Sequence, residues 1–109
     1  MLVEIRSYNL KPGSRDEFHR LVCQESLPLM KRWGVDVVAF GPSSHDNISY
    51  YLIRAYESLE HRQSSQDAFY GSDEWRKGPR EAIVSDTSIV LEMEAPFVDS
   101  IRKIGVNCV

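Results

Sequence analysis

The chain has 109 residues, a length typical of one domain with a small core that a second subunit could usefully extend. Its net charge of −3 argues against nucleic acid or an anionic membrane surface as a partner. No apolar run has the length of a membrane span, and the charged N-terminal residues do not form a signal peptide, so a cytoplasmic location is expected.

The first half of the chain predicts a strand, an interrupted helix and a hairpin. Residues 2–10 alternate between apolar and polar side chains, which is the pattern of a half-buried strand. A helical pattern follows with Ser14 as its cap, and Pro28 should bend or restart that helix. Two further strands, over residues 35–41 and 48–56, are separated by turn-forming residues and should form a hairpin.

The second half predicts one more helix and one more strand. The helix begins at Ser58 and is interrupted at Gly71, and residues 86–95 alternate as a fourth strand. The order β-α-β-β-α-β is that of the ferredoxin-like α+β arrangement, a four-stranded antiparallel sheet with both helices on one face. We therefore assign residues 1–95 to one α+β domain and residues 96–109 to a C-terminal extension.

The C-terminal extension contains apolar residues at helical spacing, namely Val98, Ile101 and Ile104. A helix this short needs a surface to pack against, because isolated short helices are marginal in water. We expect that surface to be a partner subunit or the mouth of the cleft between helices and sheet, where the segment would act as a lid.

The two faces of the predicted sheet differ in polarity. The apolar residues of the strands are expected to face the helices; they are Val3, Ile5, Ile53, Ala55, Ile89, Leu91 and Met93. The polar residues are expected to form the interface of a homodimer, because exposed aromatic patches are uncommon on monomers. These are Glu4, Arg6, Tyr8, Tyr50, Arg54, Tyr56 and Glu92.

Aromatic residues and arginines around the second helix are the candidate ligand site, in the cleft between helices and sheet. They are Tyr51, Phe69, Tyr70, Trp75, Arg76 and Arg80. In a continuous helix Arg76 and Arg80 are one turn apart and could clamp an anionic group together. The alternative is that both pair with neighbouring acidic side chains at the surface, which needs no ligand.

Metal and cofactor chemistry has little support in this sequence. The three histidines have no partners at metal-binding spacing, and no phosphate-binding glycine pattern or nucleophile motif is present, so we expect neither a metal nor a cofactor. Cys23 and Cys108 form no CxxC pair and are expected to be two reduced thiols.

Four segments together carry a family resemblance: VEIRSYNLKPG, LPLMKRWGVDVVAFGPS, YYLIRAYESLEHRQSSQDAFYGSDEWRKGPRE and SIVLEME. They resemble the NIPSNAP family, whose domain belongs to the dimeric α+β barrel superfamily, and the chain looks like a compact bacterial member. The resemblance implies a homodimer in which two four-stranded sheets meet as a barrel with the helices outside. It implies no particular reaction, since a fold does not determine an activity.

Two hypotheses for function remain after these exclusions. In the first, the protein binds a small hydrophobic or aromatic ligand in the cleft, and this hypothesis includes a cofactor-independent enzyme. In the second, it is a non-catalytic dimeric adaptor whose outer helices bind another protein. The sequence does not decide whether the protein is an enzyme, but the aromatic and arginine residues favour the first hypothesis, because pockets are mostly apolar with a few placed polar groups.

Overall fold

The structure, a computed structural model, describes residues 1–72, 79–104 and 108. The strands are β1 (Leu2–Leu10), β2 (Asp36–Pro42), β3 (Ser49–Tyr56) and β4 (Ile83–Glu92). The helices are α1 (Arg15–Leu21), α2 (Leu27–Arg32), α3 (Leu59–Tyr70) and α4 (Ala95–Ile104), with a π-helical turn at Val22–Ser26 and a 3-10 turn at Pro79–Ala82.

The four strands form one antiparallel sheet in the order β2-β3-β1-β4. This order, with the two crossovers made by α1–α2 and by α3, confirms the predicted ferredoxin-like α+β fold. The pairing places Glu4 opposite Arg54 and Tyr8 opposite Tyr50 on the two central strands. Polar and aromatic side chains are therefore concentrated along the middle of the sheet.

The first helix is interrupted where Pro28 predicts it. Proline has no backbone N–H and its ring collides with the carbonyl four residues earlier, here that of Gln24. The chain avoids this collision by widening into the π-helical turn at Val22–Ser26, and Pro28 then lies in the first turn of α2. Ser14 lies at the N-cap position of α1 as predicted, but its hydroxyl donates to the carbonyl of Lys11 and makes no capping hydrogen bond.

The predicted orientation of the sheet is wrong, because the polar residues, not the apolar ones, face α1 and α3. Glu4 and Arg54 are fully buried beneath α3, and the aromatic rings of Tyr8 and Tyr50 pack in the main core with Phe18 of α1. Helix α3 offers few apolar side chains to the sheet and presents polar ones, so a polar sheet face is the complementary partner.

The predicted subunit interface is therefore wrong for most of its members. Five of them are buried within a single chain and have no surface left for a partner: Glu4, Tyr8, Tyr50, Arg54 and Tyr56. Arg6 is half-buried in the same layer, and Glu92 is exposed at the end of β4. The face available to a partner carries the opposite set of strand residues.

Helix α4 lies on the sheet face opposite to α1 and α3. Val98 is completely buried there against Val3 and Ala55, and both oxygens of Asp36 on β2 accept hydrogen bonds from Arg102 at 2.5 and 2.6 Å. The predicted helix in the extension is confirmed, but its alternative placement at the mouth of the cleft is wrong. It covers part of the open sheet face and not the mouth of the cleft, so it is no lid.

The expectation of two reduced thiols is also wrong, because Cys23 and Cys108 form a disulfide across 85 residues of sequence. Cys23 lies in the π-helical turn and Cys108 comes after α4. Sequence spacing could not reveal this pair, since only the three-dimensional path of the chain brings distant cysteines within bonding reach.

Candidate ligand-binding cleft

An inner cavity lies between α1–α2, α3 and the sheet, with a volume of about 30 Å³. Its walls are largely aromatic, with contributions from Tyr8, Phe18, Tyr50, Phe69 and Tyr70. A space of this size corresponds to roughly one water molecule. The helix–sheet layer is therefore well packed, and the inner cavity alone holds no organic ligand.

A larger outer groove adjoins this cavity, with a volume of about 440 Å³. Tyr8, Tyr70 and Ile83 line both spaces, so they form the wall between them. Arg6 and Arg80 add positive charge to the groove. Its volume lies within the range of about 300–1,000 Å³ typical of small-molecule sites, although it is open to solvent. We call the groove and the inner cavity together the cleft.

A buried ionic network forms the floor of the cleft beneath α3. Arg54 Nη2 donates to Glu4 Oε1 at 2.6 Å. From α3, Arg62 Nε and Gln66 Nε2 donate to Glu4 Oε2 at 2.7 and 2.5 Å. One carboxylate thus links two central strands to the helix above them, which fixes the position of α3 over the sheet.

The environment of Glu4 keeps its carboxylate ionised. Burial by itself would raise its pKa, but the positive charge of Arg54 and the hydrogen bonds from Arg54 and Gln66 outweigh burial and lower the pKa to about 2. A buried ionised carboxylate of this kind needs paired and hydrogen-bonded partners, and here it has them.

Tyr70 is held in the cleft by two arginines. Arg6 Nη1 donates to the Tyr70 hydroxyl at 2.7 Å, and the guanidinium carbons of Arg6 and Arg54 lie 5.3 and 5.6 Å from the centre of its ring. Cation–π contacts at these distances orient an aromatic ring, and they strengthen when water is excluded. Tyr70 therefore stands at a defined position between the inner cavity and the outer groove.

The cleft carries more positive than negative charge. Among the described residues, Arg6, Arg54 and Arg62 all approach the buried carboxylate of Glu4, and the further acidic neighbour Asp86 is half-exposed and 3.8 Å from Arg6. Such an excess of guanidinium groups, of which Arg54 is buried and Arg6 and Arg62 are half-buried, favours an anionic or hydrogen-bond-accepting ligand group.

Two buried polar atoms in the cavity wall have no hydrogen-bond partner among the described residues. They are Arg54 Nε and Ser26 Oγ. Unsatisfied buried donors are costly and uncommon in native proteins, so each indicates a group that water or a ligand can satisfy.

The buried tyrosines are neutral hydrogen-bonding groups. Burial raises the pKa of Tyr8, and burial also raises the pKa of Tyr50. The Tyr50 hydroxyl lies 2.6 Å from His19 Nδ1 on α1. Both phenols therefore remain protonated through the physiological pH range and can donate hydrogen bonds.

The structure brings together only part of the predicted ligand site. Phe69 and Tyr70 line the inner cavity, and Arg80 is exposed at the outer groove. The placement of Tyr51 is wrong, because its side chain packs with the apolar cluster on the opposite face of the sheet. Trp75 and Arg76 lie outside the described residues, as does the predicted pairing between Arg76 and Arg80.

Sequence reasoning assigned several cleft residues to a subunit interface instead. The missed residues are Glu4, Arg6, Tyr8, Tyr50 and Arg54. The sequence did contain one indication that a carboxylate lies beneath α3. Arg62 and Gln66 are four residues apart on this helix, so they share a helix face that suits a carboxylate below it.

The described residues contain neither a metal-binding cluster nor a membrane-spanning helix. Within residues 1–72, 79–104 and 108, no group of three or more histidine, cysteine, aspartate or glutamate side chains could hold a metal ion. In the same part of the chain, no helix is both long and apolar enough to cross a membrane.

The ferredoxin-like sheet, with an aromatic cleft that contains a buried arginine under its helices, places the protein in the class of small α+β proteins with a helix–sheet cleft. A NIPSNAP family model matches residues 3–98, and the chain belongs to that family. No curated protein matches the chain.

Solved bacterial structures share the fold. A NIPSNAP domain protein from Burkholderia xenovorans is 20% identical, with a TM-score of 0.74 over 87% of this chain and 96% of that one. A NIPSNAP family protein from Agrobacterium tumefaciens is 19% identical, with a TM-score of 0.76 over 86% and 93%. A protein described as a putative antibiotic biosynthesis monooxygenase from Bordetella bronchiseptica is 22% identical, with a TM-score of 0.69 over 85% and 96%. At these identities the likeness establishes the fold alone.

Proposed function

We propose that this NIPSNAP protein is a homodimer that binds a small hydrophobic or aromatic ligand, carrying an anionic or acceptor group, in the cleft of each subunit. The observation that carries the proposal is the buried Arg54 guanidinium, whose Nε is unsatisfied among the described residues in a mainly apolar and aromatic wall. Aromatic walls with a few placed polar groups are typical of small-molecule sites.

The ligand body would occupy the outer groove, where Tyr8, Tyr70 and Ile83 offer apolar surface. Its acceptor group would point inward toward Arg6 and Arg54. Charge-assisted hydrogen bonds to guanidinium groups are about twice as strong as neutral ones, so they would orient the ligand.

The proposal includes catalysis without a cofactor. Tyr8, which lines both the inner cavity and the outer groove, remains protonated because burial raises its pKa, and it is suited to donate a hydrogen bond to charge that develops on a bound molecule. The likeness to the Bordetella bronchiseptica protein transfers no reaction, since it concerns the fold alone.

The open face of the sheet supports the homodimer. Helix α4 covers only part of this face, and Ile89 and Leu91 of β4 remain 56% and 45% exposed. Ile5 and Ile53 beside them are half-buried. A second copy of the chain placed on this face would cover these apolar side chains.

We place the dimer in the bacterial cytoplasm, where small thiols can act on the disulfide.

The second candidate function is a dimeric adaptor without catalysis. It is favoured by exposed apolar side chains on the helical side, Trp33 at the end of α2 and Leu59 at the start of α3, which are 41% and 60% exposed. A partner protein would cover these side chains and leave the cleft unchanged.

The test of the cleft uses 2-naphthoate, with 2-naphthalenemethanol as its neutral counterpart. Amide spectra of ¹⁵N-labelled protein are recorded during titration with each compound. We expect naphthoate to shift the amides of Tyr8, Tyr70 and Ile83 and the alcohol to bind at least about tenfold more weakly, which corresponds to one charge-assisted hydrogen bond.

Two matched variants complete this experiment. Arg80→Gln removes a charge at the groove and should weaken naphthoate binding, whereas Arg20→Gln removes an exposed charge on α1 and should not. Equal affinity for both compounds, or shifts confined to the ends of α2 and α3, would contradict the cleft proposal. The second result would favour the adaptor.

A further inference from the structure

The disulfide joins two cysteines of different accessibility. Cys23 is half-buried in the π-helical turn, whereas Cys108 is exposed. Thiol–disulfide exchange depends on which sulfur an incoming thiolate can reach. Cys108 is the more exposed of the two cysteines, so an incoming thiolate is expected to attack its sulfur, and Cys23 is the sulfur that would leave.

A histidine lies beside the leaving sulfur. His19 is one helical turn before Cys23, and its Nε2 is 3.8 Å from Cys23 Sγ. The other ring nitrogen, Nδ1, is 2.6 Å from the hydroxyl of Tyr50, which is buried on β3. This second contact fixes the plane of the imidazole, as orienting hydrogen bonds do for histidines in acid–base roles.

We propose that Cys108, Cys23 and His19 form a thiol-exchange site that reacts with a small cysteine-type thiol. Cys108 is the sulfur that becomes modified, and Cys23 is the leaving group. His19 stabilises and protonates the Cys23 thiolate, and Tyr50 positions His19.

The exchange proceeds in two balanced steps. The thiolate of the small thiol attacks Cys108 Sγ, the Cys23–Cys108 bond breaks, and Cys23 leaves as a thiolate that takes a proton through His19. A second small thiolate then attacks the sulfur of the first, releasing a small-molecule disulfide and the Cys108 thiolate, which solvent protonates. The protein disulfide gains two electrons, which two small thiols supply on forming one disulfide.

The thiol state is coupled to the cleft through the π-helical turn. Val22 precedes Cys23 and lines the inner cavity, as does Ser26 at the end of the turn. Helix α4 has its own anchors in Val98 and Arg102, so reduction should release the link from Cys108 to the turn without detaching the helix. Exchange would therefore remove a covalent restraint from the wall of the inner cavity that Val22 and Ser26 form.

The test starts from the fully oxidised full-length protein and uses reduced glutathione in excess. The reaction is stopped with acid at intervals, free thiols are alkylated, and peptide mass spectrometry locates the glutathione adduct. We expect the adduct on Cys108. His19→Gln should slow the first exchange by about tenfold, because the leaving thiolate loses its proton donor. Arg20→Gln, at the neighbouring exposed position, should react as the wild type does.

Two further substitutions, used singly and together, keep the test decisive if His19→Gln folds poorly. Tyr50→Phe removes only the hydroxyl that holds the imidazole, and it should slow the same step. In Cys108→Ser, the remaining Cys23 thiol should react with iodoacetamide faster than in Cys108→Ser combined with Tyr50→Phe. Three outcomes would overturn the proposal. The first is a glutathione adduct on Cys23, and the second is an equal exchange rate in the wild type, His19→Gln and Tyr50→Phe. The third is a failure of glutathione disulfide to re-form the Cys23–Cys108 bond in the reduced protein.

Discussion

Replacing Glu4 by glutamine should destabilise the protein strongly, because Glu4 is the one carboxylate that binds Arg54, Arg62 and Gln66 together. Removing one partner of a buried ion pair typically costs about 3–5 kcal/mol, since the remaining charge stays buried and unpaired. The pKa of Glu4 gives a free energy of similar size, because a fall from 4.5 to about 2 corresponds to roughly 3 kcal/mol.

The pH dependence of this effect has a defined sign. The folded-state pKa of Glu4 lies below its unfolded value, so the stabilisation is fully present above about pH 4.5 and is lost as the pH falls toward 2. The difference in unfolding free energy between wild type and Glu4→Gln should therefore be about 3–5 kcal/mol at pH 7 and should shrink progressively below pH 4.5.

Urea unfolding followed by circular dichroism at pH 7, 4 and 3 measures this difference. Glu92→Gln is the matched control, because Glu92 is a mostly exposed glutamate at the end of β4 and its loss should change stability by about 0.5 kcal/mol or less. A loss below about 1 kcal/mol for Glu4→Gln at pH 7, or a difference that stays constant down to pH 3, would refute the buried network as the link between sheet and helix.

Three further changes test the packing. Leu91→Asp places a charge on the open sheet face and should dissociate the proposed dimer, as measured by sedimentation velocity at micromolar concentration. Ser88→Asp is the control and should leave the dimer intact, because Ser88 is an exposed residue on the other face of β4. Phe69→Ala should lower the unfolding free energy in urea by about 3–5 kcal/mol, because its ring is buried against the inner cavity; a loss under about 1 kcal/mol would contradict that burial. Val98→Asp should make the α4 amides exchange rapidly with deuterium while the sheet stays protected, because it places a charge in a buried apolar contact; unchanged protection of α4 would show that the helix does not depend on this contact.

The strands, the helices and their order followed from local patterns in the sequence. Period-two alternation located β1 over its whole length, and Pro28 located the interruption of the first helix. The start of α3 at Ser58 was also readable, and in the structure the Ser58 hydroxyl caps the helix by accepting from the backbone N–H of His61 at 3.0 Å. These features depend on residues close together in the chain, so a single sequence determines them.

The tertiary structure decided which face of the sheet the helices cover. Alternation separates two sets of side chains but does not say which set is inside, and the usual preference for apolar burial failed at Glu4 and Arg54. Their burial is compensated by Arg62 and Gln66, which come from a helix more than fifty residues from Glu4. The disulfide partner of Cys23 was likewise set by the path of the chain. Hydrogen bonds and covalent bonds between residues that are far apart in the sequence depend on where the fold places those residues, so a local sequence pattern does not predict them.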